Sequence, residues 1–68
     1  MNEIEINSEF IKLDAFMKWA AIASTGAEAK MYILDGDVFV NGEVEDRRGR
    51  KLYRGDVVKF NGEEFKVI

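Results

Sequence analysis

The 68-residue chain has no cysteine, no histidine and no proline. Without cysteine there is neither a disulfide nor a thiolate nucleophile, and without histidine as well the usual zinc ligand sets are excluded. Small domains often rely on such staples, so this one must be held by packing and hydrogen bonds. The lack of proline leaves backbone punctuation to six glycines and scattered Asn, Asp and Ser. Long apolar runs are missing too: the longest are a few residues, against the roughly 20 needed to cross a bilayer. The first ten residues, MNEIEINSEF, are acidic and alternating, unlike a signal peptide, and a cytoplasmic protein is expected.

Catalytic motifs are equally scarce. There is no phosphate-binding P-loop, Ser24 has no identifiable base, and nothing places two carboxylates in one pocket. Asp35-Gly36-Asp37 resembles the start of a calcium loop, but its fifth position is Phe39 and the required glycine spacing is absent. The expectation is a non-enzyme with no cofactor and no metal.

What is present is apolar material and an uneven distribution of charge. Hydrophobic residues make up 47% of the chain, including five Phe, two Tyr and one Trp. That is enough for one compact core, so a single domain over residues 1–68 is expected, although a chain this short buries only roughly 60% of its unfolded surface. The formal net charge is −3, yet residues 1–46 carry ten acids and three bases while residues 47–68 carry seven bases and three acids. Five of those bases, Arg47, Arg48, Arg50, Lys51 and Arg54, fall within the nine residues DRRGRKLYR at 46–54. In an acidic protein such a cluster predicts one electropositive patch.

The periodicities divide the chain. Glu3-Ile4-Glu5-Ile6 alternates like a short strand. Leu13, Phe16, Met17 and Ala20 follow the i, i+3, i+4, i+7 rule and predict a helix from Leu13 to about Ala21, with Asp14 and Lys18 as a weak supporting pair on its far side. Trp19 lies at the edge of the apolar stripe and is expected in the core rather than as a base-stacking platform. Thr25 followed by Glu28 fits a capping box and starts a second helix, Gly26 to about Asp35, which Gly36 ends in a left-handed cap. That helix carries two apolar stripes. Ala29, Tyr32 and Ile33 form one; Ala27, Met31 and Leu34 form the other, which is expected to lie under the sheet or the N-terminal strand. The remainder reads as strands, with Asn41-Gly42 and Asn61-Gly62 each between alternating segments, the pattern of a tight type I′ hairpin. Strand, helix pair and antiparallel strands together predict an α+β domain with two packed helices on a small twisted antiparallel sheet.

The order of these motifs resembles a known family. Lys12-Leu13-Asp14-Ala15-Phe16-Met17 is similar to its first-helix opening, and Ile22-Ala23-Ser24-Thr25 with Glu28-Ala29-Lys30 to its second-helix start. Gly36-Asp37-Val38-Phe39-Val40-Asn41-Gly42 is close to its G-x-V-x-V-N-G hairpin, and Arg54-Gly55-Asp56-Val57-Val58 to its G-D-x-V turn and strand. The family is the RNA-binding domain named after ribosomal small-subunit protein four, the alpha-L motif, and the likeness spans about residues 10–60. Thr25 to Lys30 together with Arg47 to Leu52 most resembles its small standalone bacterial YaaA/YbcJ-like subgroup. The resemblance implies ribosome-associated, non-catalytic binding of structured RNA, often ribosomal RNA, with Lys12 and Lys30 at basic family positions. Gly26, Met31 and Leu34 stand where many members are basic, which moves the weight of RNA contact to the 47–54 segment.

The chemistry of that segment suits the implied ligand. Arg and Lys gain affinity for a polyanion by releasing its counterions, and Arg grips a phosphate with two donors. Arg47, Arg48, Arg50, Lys51 and Arg54 are therefore expected to supply most phosphate contacts, with Lys12, Lys18 and Lys30 contributing from the helices. Tyr53 would stack on an unpaired base, a contact worth about 1–3 kcal/mol. The plainer alternative is a solvated loop whose arginines pair with Glu43, Glu45, Asp46 or Asp56. A second functional alternative is a protein-interaction module that docks on a ribonucleoprotein through the Met31–Leu34 surface.

Overall fold

The computed structural model describes all 68 residues. The elements run β1 (Asn2–Ile4), β2 (Ile11–Lys12), α1 (Leu13–Trp19), α2 (Gly26–Leu34), β3 (Val38–Val40), β4 (Glu43–Val44), β5 (Lys51–Leu52), β6 (Val57–Phe60) and β7 (Glu63–Val67). Five strands form one sheet in the order β1-β7-β6-β3-β4, and β2 with β5 forms a separate two-stranded ladder. All pairings are antiparallel except β1 with β7. No helix is long and apolar enough to cross a membrane.

Both Asn-Gly pairs make the tight turns that their chemistry demands. Val40 pairs with Glu43 and Phe60 with Glu63, which leaves two-residue loops. Asn41 and Gly42 have φ of 52° and 88°, and Asn61 and Gly62 of 53° and 81°, as a type I′ turn requires. The register places Val40 opposite Val58 and Val58 opposite Phe65, so alternate residues of three strands share one inner face. The helices lie on it. Phe16, Met17, Ala29, Ile33, Val38, Val40, Val58, Phe65 and Val67 are buried in a common core, and Tyr32 meets Phe60 with ring centroids 4.6 Å apart.

The helix ends show how local signals and tertiary contacts divide the work. In α2 the capping box forms: Thr25 Oγ1 accepts from Glu28 N–H at 3.1 Å, and Glu28 Oε1 accepts from Ser24 N–H at 3.0 Å, one residue further back than usual. Asp37 and Gly36 N–H donate to the carbonyls of Tyr32 and Ile33 with Gly36 at φ 79°, a Schellman termination. Helix α1 ends two residues before the expected Ala21, in the same motif: Ile22 and Ala21 N–H donate to Met17 and Lys18 carbonyls. Here the left-handed residue is Ala21, at φ 61°, where a Cβ is unfavourable.

Three expectations need correction. Trp19 is not in the core; it is 65% exposed, with its indole N–H donated to the Glu5 carbonyl at 2.9 Å. The second stripe of α2 is not covered: Met31 and Leu34 are 51% and 64% exposed, because the nine-residue helix meets the core only through Ala29, Ile33 and Tyr32. Asp14 does not pair with Lys18; its carboxylate accepts from Ala15 N–H at the start of α1.

The two C-termini make a matched test of backbone strain. Ala21→Gly is expected to stabilise the protein by about 0.5–1 kcal/mol, since relief of the left-handed Cβ outweighs the extra entropy of an unfolded glycine. Gly36→Ala should cost about 1 kcal/mol for the converse reason. Urea unfolding of both variants checks the opposite signs.

Candidate nucleic-acid interface

The basic segment is built into the fold through its backbone. Lys12 occupies the N-cap of α1 without a side-chain cap. The free N–H groups of the first turn instead find carbonyls of the segment: Leu13 N–H donates to Arg50 O at 2.8 Å and Asp14 N–H to Arg48 O at 3.0 Å. The β2–β5 ladder continues this attachment, pairing Ile11 with Leu52 and Lys12 with Lys51. Leu52 is fully buried. The carbonyls of Arg48 and Arg50 therefore serve the helix, while the side chains of Arg47, Arg48 and Lys51 are exposed.

Glu45 lies beneath this turn and is the one buried charged residue, 4% exposed. Its Oε2 accepts from the N–H and Nε of Arg47, both at 3.0 Å; its Oε1 accepts from Arg47 Nη2 at 3.1 Å and Arg50 Nη1 at 2.9 Å. Four bonds saturate a carboxylate. The Arg47 side chain is 72% exposed and that of Arg50 30%. The Arg47 guanidinium does most to hold the Glu45 carboxyl down, to about 2; desolvation opposes it, while the Arg50 guanidinium and the Arg47 N–H assist.

The other cations have different surroundings. Arg48 and Lys51 form no ion pair; the Lys51 ammonium sits 4.7 Å over the Phe10 ring. Lys12 and Lys51 are directly opposed across the ladder, a like-charge juxtaposition that ordinarily costs stability. Tyr53, 45% exposed, tilts against Phe10 at 6.0 Å between centroids. Arg54 turns away and donates to the Ile6 carbonyl at 2.8 Å. Of the acids expected as decoys, only Glu45 pairs; Asp56 instead accepts from Asn41 Nδ2 and Tyr53 N–H.

The structure thus opposes Lys12 to Lys51, leaves Arg48 exposed and unpaired on the adjoining turn, and keeps Arg47 and Arg50 on Glu45. Lys18 and Lys30, both exposed, share no hydrogen bond or ion pair with this cluster. Lys18 instead borders an open groove of about 400 Å³, also lined by Ile6, Asn7, Ser8, Ile11, Ala15 and Trp19. Glu45 is one of the four acids the sequence offers to the arginines, and no local mark sets it apart from the other three; its spacing of two and five residues from Arg47 and Arg50 is the only signal.

Glu45 makes the stability pH-dependent. A carboxyl held well below its ordinary value stabilises the fold above the unfolded value of 4.5, and that contribution is lost as pH falls toward about 2. Glu45→Gln should be about 1–3 kcal/mol less stable than the native chain at pH 7, with the gap closing by pH 2. Thermal melts across this range check it; parallel curves would refute it.

Residues 4–68 match the S4 domain family. The chain is 46% identical over 68 residues to a Bacillus subtilis (strain 168) protein named Probable ribosome maturation protein RlbA, covering 98% of this chain and 96% of that one. It is 34% identical over 58 residues to YbcJ of Escherichia coli (strain K12), covering 85% and 83%. The solution structure of E. coli YbcJ, described as revealing an αL motif involved in RNA binding, aligns with a TM-score of 0.75 at 30% identity over 100% of this chain and 87% of that one. The 30S ribosomal protein S4e of Thermoplasma acidophilum shares the fold, with a TM-score of 0.76 at 21% identity over 91% of this chain and 33% of that one. With the helix pair, the hairpins and the match over nearly its whole length, this chain belongs to the S4 domain family and has the αL fold.

Proposed function

We propose that this chain is a single, non-catalytic RNA-binding domain of the bacterial cytoplasm. It engages folded ribosomal RNA through the turn at 47–51 and the adjoining Lys12, in a role connected with ribosome maturation. The observation that carries the reading is the group Lys12, Arg48 and Lys51: three exposed cations on one ladder and turn, two of them directly opposed, with no acid paired to any. Such an arrangement costs folding energy and is compensated when phosphates occupy it. The names of the RlbA and YbcJ relatives support the same reading. Arg47 and Arg50 add outward-facing donors, Tyr53 an exposed ring, and Lys18, Lys30 and Arg54 weaker positive potential at greater distance.

Arg48 and Lys51 are the clean probes, since reversing Arg47 and Arg50 would also strand the buried Glu45. Binding of bacterial ribosomal RNA, refolded after extraction, should fall with salt at a log–log slope of about −3 to −4.5, as expected for four or five phosphate contacts. Arg48→Glu with Lys51→Glu should weaken binding at least tenfold and shrink the slope by about 0.9 for each phosphate no longer engaged, with the melting temperature kept or raised because the opposed like charges of Lys12 and Lys51 are relieved. An unaltered affinity and slope in filter binding would remove the turn from the interface.

The exposed Met31 and Leu34 favour a second reading, in which this face of α2 docks on a protein of the same particle. Under it, Met31→Ala with Leu34→Ala abolishes co-sedimentation with ribosomal particles and leaves binding to the bare RNA intact. Equal loss of both, or of neither, counts against it.

A further inference from the structure

The geometry assigns Glu45, an acid, to the RNA-binding machinery as a positioning residue: its carboxylate holds the Arg47 and Arg50 guanidiniums ready to take a backbone phosphate of folded RNA. This inference rests on the RNA-binding reading above and deepens it.

The argument starts from a conflict of signs. A carboxylate beside a polyanion site repels the ligand, so electrostatics alone would leave position 45 neutral. Yet Glu45 is the only buried acid of the protein and accepts bonds from both arginines. Arg47 Nη2 and Arg50 Nη1 lie 3.1 and 2.9 Å from the same Oε1 atom. The two nitrogens are therefore no more than about 6 Å apart, close enough for their free donors to serve one phosphate group or two successive ones. Arg47 is gripped by its Nε and Nη2 edge, so its Nη1 remains free, and most donors of Arg50 are unused.

A free arginine on a surface loop loses rotamer freedom when it docks, and pre-organising it raises affinity by sparing that loss. Glu45 makes this payment during folding for two arginines at once. Because all its acceptor sites are filled and it is buried, it presents little of its charge outward, and the pair of arginines over it retains a net positive charge. The Arg47 N–H bond to Oε2 and the Arg50 N–H bond to Arg47 O at 3.2 Å fix the backbone between them.

The test exploits the conflict. Glu45→Gln makes the protein more positive by one charge. If Glu45 were only a structural or neutralising acid, RNA binding by the folded variant would tighten and its salt slope would steepen. Positioning predicts the reverse: refolded ribosomal RNA binds about fivefold more weakly at 0.15 M salt, and the slope becomes shallower because fewer contacts form together. Arg47→Lys, which keeps charge and removes the two-point grip, should show the same weakening and guards against a Glu45→Gln chain that fails to fold. The Arg47 Nε proton should exchange slowly by NMR in the free native chain and rapidly in Glu45→Gln. Folded Glu45→Gln that binds as well as or better than the native chain, or unchanged affinity in Arg47→Lys, overturns the inference and leaves the RNA-binding reading standing. A native chain that binds no refolded ribosomal RNA fails the reading itself.

Discussion

Helix α1 begins without a capping side chain, and its first free N–H groups are met by the carbonyls of Arg50 and Arg48. Much else depends on these two bonds. A helix end buried without partners would be costly, so the segment that carries half of the cations is also what completes α1. Leu13, Phe16 and Met17 of that helix are fully buried; the turn therefore cannot move without disturbing the core. A basic stretch with three arginines and a glycine would, in isolation, be a mobile loop. Here its backbone is recruited by the helix and its neighbour Leu52 by the core, which leaves the side chains as the only free variables.

Electrostatics then settles those side chains in two ways. Beneath the turn, Glu45 takes two arginines and its carboxyl stays ionised far into acid. Beside the turn, Lys12 and Lys51 face one another with no acid between them. The first arrangement stabilises the fold and the second costs it, and both lie on the same few residues. Folding alone would favour an acid at position 12 or 51, so this opposed pair stands uncompensated within the fold. The exposed helical face of Met31 and Leu34 fits this distribution: the unpaired cations lie at the α1 end, and that face of α2 is left apolar.

The legible parts of the sequence were those governed by neighbours in the chain. Asn-Gly pairs dictate positive φ regardless of context, Thr25 and Glu28 satisfy each other's backbone, and Gly36 ends a helix wherever it stands; all three formed as expected. The helix pair and the antiparallel hairpins followed. What was illegible joins distant segments. The parallel β1–β7 pairing connects residues at opposite ends of the chain, and the β2–β5 ladder is two residues long, too short to leave a periodic trace. Trp19 looked like core by composition, but its indole N–H reaches the Glu5 carbonyl at the surface, a bond no spacing rule foretells. At the site, the cation cluster was plain from its density, whereas its division into paired and unpaired members required knowing which acid lay below it. Glu43, Glu45, Asp46 and Asp56 were equivalent candidates on paper; only the fold buried Glu45.

The net charge of −3 would seem to oppose any polyanion, but distance removes the contradiction. At physiological ionic strength, charges farther apart than about 8 Å are largely screened, while the molecule measures 27 × 21 × 18 Å. Acids on the far side of the molecule therefore contribute little to the potential at the turn. Their effect is confined to their own surroundings. At the turn itself Lys12, Arg47, Arg48, Arg50 and Lys51 stand against the saturated Glu45, its exposed neighbour Asp46, and Asp14, whose N–H is bonded to the Arg48 carbonyl. Local excess of positive charge, rather than the isoelectric point, sets the potential at the turn.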